Sequence, residues 1–426
     1  MLTFHILILI FLVSNSVCQH AVWSSISTID AGPTPIPLLE LTNIMLEVVN
    51  NELTISFFQS LQQQSSDLID QDLVTTSLFG LCGERQLSHS RVNVRSLPFP
   101  VYPSDCAKQI ELMHVVPAIY PANIFHYLVD FLIPLHVTVN MTAPKTTSLM
   151  VLTCPVLQLL PLKFQSWVNL FTDNFYTINT LPERIFVERM IVGLDSKFRR
   201  CKGSGSKHNG KQNLEEHCQE IIHSFKQRIL HLESGTSKSN STMVSIFDRA
   251  PHNRKILGLE TVQFRKKLET MLTDKVVLRV YKPHTLTLDE QYNVIQQSDV
   301  VVLVHGAANV WSIFASQSTV VVELYPPGCN NFVYKQLARN LGTGHVGHFV
   351  STSHISHYNR KTAKRLANAD YPNATLFKEP KRFPFLARLV NVNLPVTWLA
   401  DLINLGLDKH YERLNNEKCS KHNKLT

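Results

Sequence analysis

The chain has 426 residues, 44% hydrophobic and 17% charged, with eight cysteines. That balance excludes a disordered or low-complexity protein, and the length suits two domains of roughly 100–200 residues each. A net charge of +8 raises nucleic acid, membrane or a polyanionic small molecule as partners; the basic residues are scattered, as in Arg265-Lys266-Lys267, and no nucleic-acid motif accompanies them, so no nucleic-acid partner is expected.

From the N-terminus, Leu2 to Val13 is an almost unbroken apolar run followed by Ser14-Asn15-Ser16-Val17-Cys18. It falls short of the roughly 20 apolar residues that span a bilayer. Ser16 and Cys18 suit the small-residue positions of a cleavage site, so residues 1–18 read as a signal peptide, with a retained signal anchor as the alternative. No membrane span is expected unless the leader is retained. Sequons at Asn140, Asn240 and Asn373 agree with an oxidising, glycosylating compartment, the lumen of the endoplasmic reticulum or Golgi, or secretion. There the cysteines become disulfide candidates, with Cys201 and Cys218, and Cys82 and Cys106, each flanking a loop.

Pro33 to Pro37 reads as an extended lead-in, and residues 91–117 as short strands and turns. Asn123 to Val139 carries apolar residues at Ile124, Leu128, Phe131, Leu132 and Leu135, the spacing of a helical face, with His126 and Asp130 at i and i+4. Leu149–Leu152 and Arg184–Val192 read as strands, 201–213 as a polar loop, and Leu214–Leu232 as an amphipathic helix. The Ser/Thr/Lys-rich stretch Gly235–Thr242 marks a domain boundary. Beyond it, strands at Met243–Phe247, Lys275–Tyr281, Val300–Val304 and Thr319–Tyr325 alternate with helices at Leu259–Leu272, Leu288–Ser298, Asn309–Ala315 and Phe332–Asn340. That alternation predicts a parallel, doubly wound sheet.

Three features of this second half carry chemistry. The run Val300–Val304 enters the small-residue turn His305-Gly306-Ala307-Ala308, where a backbone can approach a phosphate and the first helical amides can bind it; the same turn also serves simple packing. Asp248-Arg249-Ala250-Pro251-His252-Asn253-Arg254-Lys255 follows the first strand and places cations at the same edge, where arginine can grip a pyrophosphate with two donors. Glu323, in the otherwise apolar strand Val320–Tyr325, must be satisfied, by ribose hydroxyls or by a structural ion pair.

These segments, taken in order, resemble glycosyltransferase family 61. Ser298–Ala307 and Val320–Pro326 are similar to its nucleotide-side motifs, and Asp248–Leu257 to its arginine-rich loop. Asn123–Leu135 is similar to its N-terminal Asn…His…Asp…Pro-Leu motif, and Arg184–Leu194 to a central strand. The resemblance covers roughly residues 110–330 and implies an α/β fold of the GT-B type, two Rossmann-like domains facing a cleft. It also implies inverting transfer from a UDP-sugar, UDP-GlcNAc or UDP-xylose, to a glycoprotein or polysaccharide hydroxyl. The expected donor-binding residues are Arg249, Asn253, Arg254, His305, Gly306, Ala307, Ala308 and Glu323. The expected catalytic residues are Asp130, preferred as base, and His126. The chain departs from the family pattern at Ala308-Asn309-Val310-Trp311, which changes what lies over the turn.

Residues 20–235 are expected to form the acceptor-side domain and 243–385 the nucleotide-sugar domain, with 386–426 packing back on the first. No metal ligands are assigned: Asp70-Gln71-Asp72 sits far from the nucleotide motifs, and the His345/His348 and His354/His357 spacings read as solvated loop. The rival reading is a catalytically inactive, transferase-like protein that binds a glycan or a partner.

Overall fold

In the computed structural model of the chain, the described residues are 25–29, 38–49, 52–58, 92–97, 108–119, 122–142, 148–154, 162–172, 174–177, 179–194, 198, 201, 211–229, 241–249, 254–273, 275–326, 329, 332–351, 354–357 and 390–423. The leader, Asp70 and Asp72, Cys82 and Cys106, Asn240, Asn253 and Asn373 lie outside them. The protein is a mixed α/β structure that divides into two compact units, 1–122 with 130–197, and 123–129 with 198–426.

The first unit is built on an eight-stranded sheet. Its strands are β1 (Ser25–Ile29), β2 (Leu38–Val49), β3 (Glu52–Phe58), β4 (Val92–Leu97), β5 (Lys108–Ile119), β6 (Ser148–Cys154), β7 (Phe175–Tyr176) and β8 (Arg184–Val192). They run in the order β4-β3-β2-β8-β5-β6-β7, with β1 on β2. The sheet is mixed: β2 pairs antiparallel with β1, β3 and β8, while β5 pairs parallel with β6 and β8. This differs from the Rossmann-like first domain that the resemblance implied. The reason lies in β2 and β3, which turn back within two residues and so form a hairpin, a connection available only to antiparallel strands. On β2, Glu40 takes both Nε and Nη2 of Arg189 at 2.9 Å, and Glu47 joins Arg95 to Arg184, the latter at 2.7 Å.

After β5 the chain enters a π-helical segment, His126–Leu132, which continues as α1 (Ile133–Thr142). Pro134 explains the widened turn. It has no N–H to give the carbonyl four residues back, and its ring crowds that carbonyl in an α-helix. α2 (Leu162–Val168) completes the described helices of this unit.

The second unit opens with α3 (Lys211–Ile229), tied at Cys218 to Cys201 by a disulfide. The expected boundary near 235–243 therefore falls earlier: α3 belongs here, where its Phe225 meets Phe314 and its Lys226 donates to the Ala315 carbonyl at 3.2 Å. Next come β9 (Thr242–Phe247), α4 (Val262–Thr270), β10 (Val276–Tyr281), α5 (Leu288–Gln297), β11 (Val300–Val304), a 3₁₀ helix (Ala307–Phe314) and β12 (Val320–Tyr325). After these are α6 (Val333–Asn340), β13 (Gly344–Phe349), β14 (Ile355–His357), β15 (Val390–Val392) and α7 (Val396–Asn423). Thr287 and Glu290 close a reciprocal cap at the start of α5.

The five strands β10-β9-β11-β12-β13 are all parallel. β11 and β12 are buried along their whole length, as central parallel strands covered on both faces must be. The C-terminal segment does not follow the expectation that it packs on the first domain. Leu399, Ala400, Leu402, Ile403 and Leu407 of α7 enter the core of the five-stranded sheet, beside Val300 and Val322. Arg413 and His410 tie the helix to the turns before β12 and β13.

Candidate functional site

In the order β10-β9-β11-β12-β13, β9 has β10 on one side and β11 on the other. The chain leaves β9 toward β10 and β11 toward β12, in opposite directions, and the crevice beyond the carboxyl ends of β9 and β11 is where open α/β sheets hold ligands. Asp248 and Arg249 follow β9 there, and His305 and Gly306 follow β11. Asp248 is buried, and its Oδ1 accepts from the Ile256 amide at 3.3 Å, which brings the returning end of the Arg249–Arg254 loop to the same crevice.

Gly306 is the floor of the site. A Cβ built on it would stand 2.5 Å from Nη1 of Arg249 and 2.5 Å from Nη1 of Arg254, so both guanidinium groups close over its bare backbone. Arg254 is held in place by its Nη1 donating to the His305 carbonyl at 2.9 Å, and its backbone sits at φ +66, a conformation that L residues adopt at a cost. Arg249 Nη1 is buried and has no hydrogen-bond partner among the described residues. Burial pulls this guanidinium below its ordinary pKa, opposed by Tyr334 nearby. A buried cationic donor without an acceptor costs several times what an ordinary paired one does; an anion placed over Gly306 would supply the missing acceptor.

Beneath the turn lies a polar core centred on Glu323, fully buried in β12. Its Oε1 lies 2.6 Å from His305 Nδ1 and accepts from Asn309 Nδ2 at 3.2 Å; its Oε2 accepts from the Tyr325 hydroxyl at 2.6 Å and lies 2.9 Å from His345 Nε2. Burial alone would raise the carboxyl, but the hydrogen bonds from His305 and His345 outweigh it and hold Glu323 below its ordinary value. Burial likewise pulls His305 down, while its contacts with Cys329 and Glu323 reverse this and lift it to about 9. His305 is therefore an imidazolium at neutral pH, a third cation at the turn. Both oxygens of Glu323 serve protein donors, the structural ion pair that the sequence offered beside a ribose contact.

Rings extend the site. His305 stacks on Tyr325 at 5.5 Å and meets Tyr334 at 5.3 Å; Tyr334 meets Phe125 at 5.6 Å, and Phe125 meets His126 at 5.4 Å. Residues 123–129 belong to the same compact unit as the turn, so His126 lies three ring contacts from His305. Tyr325 also stacks on Phe349, which is 53% exposed and packs edge-on against Phe332.

The expected pair of His126 and Asp130 is thus divided. His126 is half-buried, whereas Asp130 is 3% exposed and falls in the first unit. Of the two, Asp130 is the more enclosed. Ala307 and Ala308 begin the 3₁₀ helix, half-buried beside Gly306, where an α-helix had been expected. Asn253 is outside the described residues. Trp311 is fully buried and packs on Phe314 at 5.6 Å, while Asn309 serves Glu323.

Sequence reasoning missed Tyr325, Tyr334, His345 and Cys329. Tyr325 was legible as the residue two beyond Glu323 on the same face of a strand. His345 had been set aside as solvated loop; it lies on β13 and touches Glu323 by strand register, with Glu323 opposite Gly347. His348 and His354 both pack on Trp398 at 4.8 Å.

A family model described as Glycosyltransferase 61 matches residues 124–322, from the π-helical turn through both strands of the crevice. No curated protein matches the chain.

Proposed function

We propose that the chain, whose residues 124–322 match the model of glycosyltransferase family 61, transfers a sugar, GlcNAc or xylose, from a UDP-sugar to a hydroxyl of a glycoprotein or glycan, with inversion. The observation that carries this reading is the pair of guanidinium groups closed over Gly306, one of them with a buried, unanswered donor. A diphosphate fits there: Arg249 and Arg254 each offer planar donors, and the His305 imidazolium adds a third positive group. As the bond from the anomeric carbon to the diphosphate oxygen breaks, its electron pair goes to that oxygen, and these three cations stabilise the growing charge. The acceptor oxygen attacks the opposite face of the same carbon and loses its proton to His126, the reachable member of the expected pair. The exposed ring of Phe349, stacked on Tyr325 beside His305, offers a flat apolar surface for a base or sugar.

The Cys201–Cys218 disulfide, with the sequons and the apolar leader, supports residence in the lumen of the endoplasmic reticulum or Golgi, or secretion; among the described residues no helix is long and apolar enough to cross a membrane. The burial of Asp130 favours, as second reading, a catalytically inactive, transferase-like member that binds a glycan or a partner. A screen of UDP-sugars for UDP release by the purified full chain decides between them. Turnover with one donor, abolished in His126→Ala while UDP affinity holds, supports transfer; silence with every donor supports the inactive reading. Failure to bind UDP at all refutes transfer.

A further inference from the structure

A second group of cations lies in the same compact unit, along the edge strand β13 rather than beyond the carboxyl ends of β9 and β11. A groove of about 520 Å³ between α6 and α7 is lined by Phe332, Lys335, Arg339, His345, Lys409 and Arg413, and by no carboxylate. Lys335 and Arg339 stand one turn apart on α6, and Lys409 and Arg413 one turn apart on α7, so each helix contributes a pair from one face. The pairs are not neutralised from within. Lys409 donates to the His345 carbonyl at 2.9 Å, and Arg413 donates through Nε to the Gln317 carbonyl at 2.7 Å and through Nη2 to Gly342. These acceptors are carbonyls, and each cation retains unused N–H groups. Lys335 and Arg339 are exposed and form no ion pair among the described residues. Asp408 and Glu412 are turned a step round α7 and lie outside the lining. Gly344 lets the arrangement close, because a Cβ there would stand 3.2 Å from Arg413 Cδ and 2.7 Å from Val320 Cγ2.

Like charges gathered without a counter-ion repel one another, and an anionic ligand along the groove would relieve that repulsion at four points. At one end Phe332, 40% exposed, adds an apolar ring face of the kind that meets the C–H side of a sugar. We propose that this groove binds an acidic glycan, a sugar chain bearing uronate or sulfate groups, as a docking site separate from the Gly306 cradle. The preference for an anion rests on the groove alone; its being a sugar rests on the transferase reading.

The test is calorimetric titration of the full chain with a sulfated heparin-derived hexasaccharide, with a polyglutamate peptide of matched charge, and with UDP. Three proteins are compared: wild type, Lys335→Glu/Arg339→Glu, and Lys266→Glu/Lys267→Glu, which makes the same charge change on an exposed turn of α4. Reversing two of the four groove charges predicts hexasaccharide binding weakened by about tenfold or more in the groove variant. The α4 variant should bind it within about twofold of wild type, with UDP affinity unchanged in both. The proposal is overturned if wild type does not bind the hexasaccharide, if both variants lose it equally, if UDP displaces it, or if polyglutamate binds more tightly. If UDP fails to bind wild type while hexasaccharide binding still depends on Lys335 and Arg339, the donor reading falls and the groove stands.

Discussion

Replacing Gly306 by alanine perturbs the cradle at its closest approach. The new methyl would meet Nη1 of Arg249 and Nη1 of Arg254 at 2.5 Å each. Ordinary contact is about 3.4 Å, so both groups must retreat by about 1 Å. Guanidinium ends are flexible and retreat cheaply, so the fold pays mainly for the backbone, which at φ +157 is a glycine conformation. Such strain costs of order 1–3 kcal/mol, a fall in melting temperature of a few degrees. Ligand binding suffers differently, because the displaced groups are the ones expected to meet the diphosphate. Losing one charge-assisted hydrogen bond costs about 1.5–3 kcal/mol, or about 10- to 150-fold in Kd. Calorimetry of wild type and Gly306→Ala with UDP, beside thermal melts of both, separates the two effects. A folded Gly306→Ala that binds UDP within threefold of wild type would show that the guanidinium pair is not the phosphate site.

Three further outcomes follow from other parts of the molecule. His305, lifted to about 9 by Cys329 and Glu323 against the pull of burial, is charged in the folded state well above its unfolded pKa near 6.5; its stabilisation is complete below pH 6.5 and is lost as pH rises through 9. UDP affinity should hold from pH 6 to 8 and fall above 9, and Glu323→Gln should move that fall to lower pH; a profile indifferent to Glu323→Gln would remove His305 from the site. His114 behaves in the opposite sense. Fully buried, with Nε2 2.8 Å from Thr142 Oγ1, it is pulled down to about 4 by burial and by Arg189, so its contribution is present above 6.5 and lost as pH falls toward 4. Urea unfolding should show about 2 kcal/mol less stability at pH 5 than at pH 7, a difference absent in His114→Gln. Cys201→Ser/Cys218→Ser should lower stability by about 3 kcal/mol, the loop-closure value for a crosslink of 17 residues' separation; equal melting of variant and wild type would mean the bond does not form.

The second unit was legible because its central strands are short apolar runs and its helices α4 and α5 carry their own caps. Val300–Val304 and Thr287 with Glu290 announce strand and helix locally, and the predicted elements from Met243 to Asn340 fall within a few residues of those observed. β13 escaped because Gly344-His345-Val346-Gly347-His348-Phe349 has no apolar run. It is an edge strand, and its glycines answer to neighbours, since a Cβ at Gly347 would stand 2.8 Å from the Tyr325 ring. The first unit was harder still, because its sheet depends on long-range pairing of β2 with β8 that no local pattern encodes.

The sequence by itself carried the resemblance to a transferase family, and its local spacing carried the parallel alternation of the second unit and the cations and small residues that follow its strands. Only the tertiary structure showed that Glu323 meets His305 and His345, that residues 123–129 share a compact unit with the turn, and that α7 packs on the sheet of its own unit. Each of these depends on strand register or on which unit buries a side chain. Burial and register are set by residues far apart in the chain, and so no spacing along it could have told them apart.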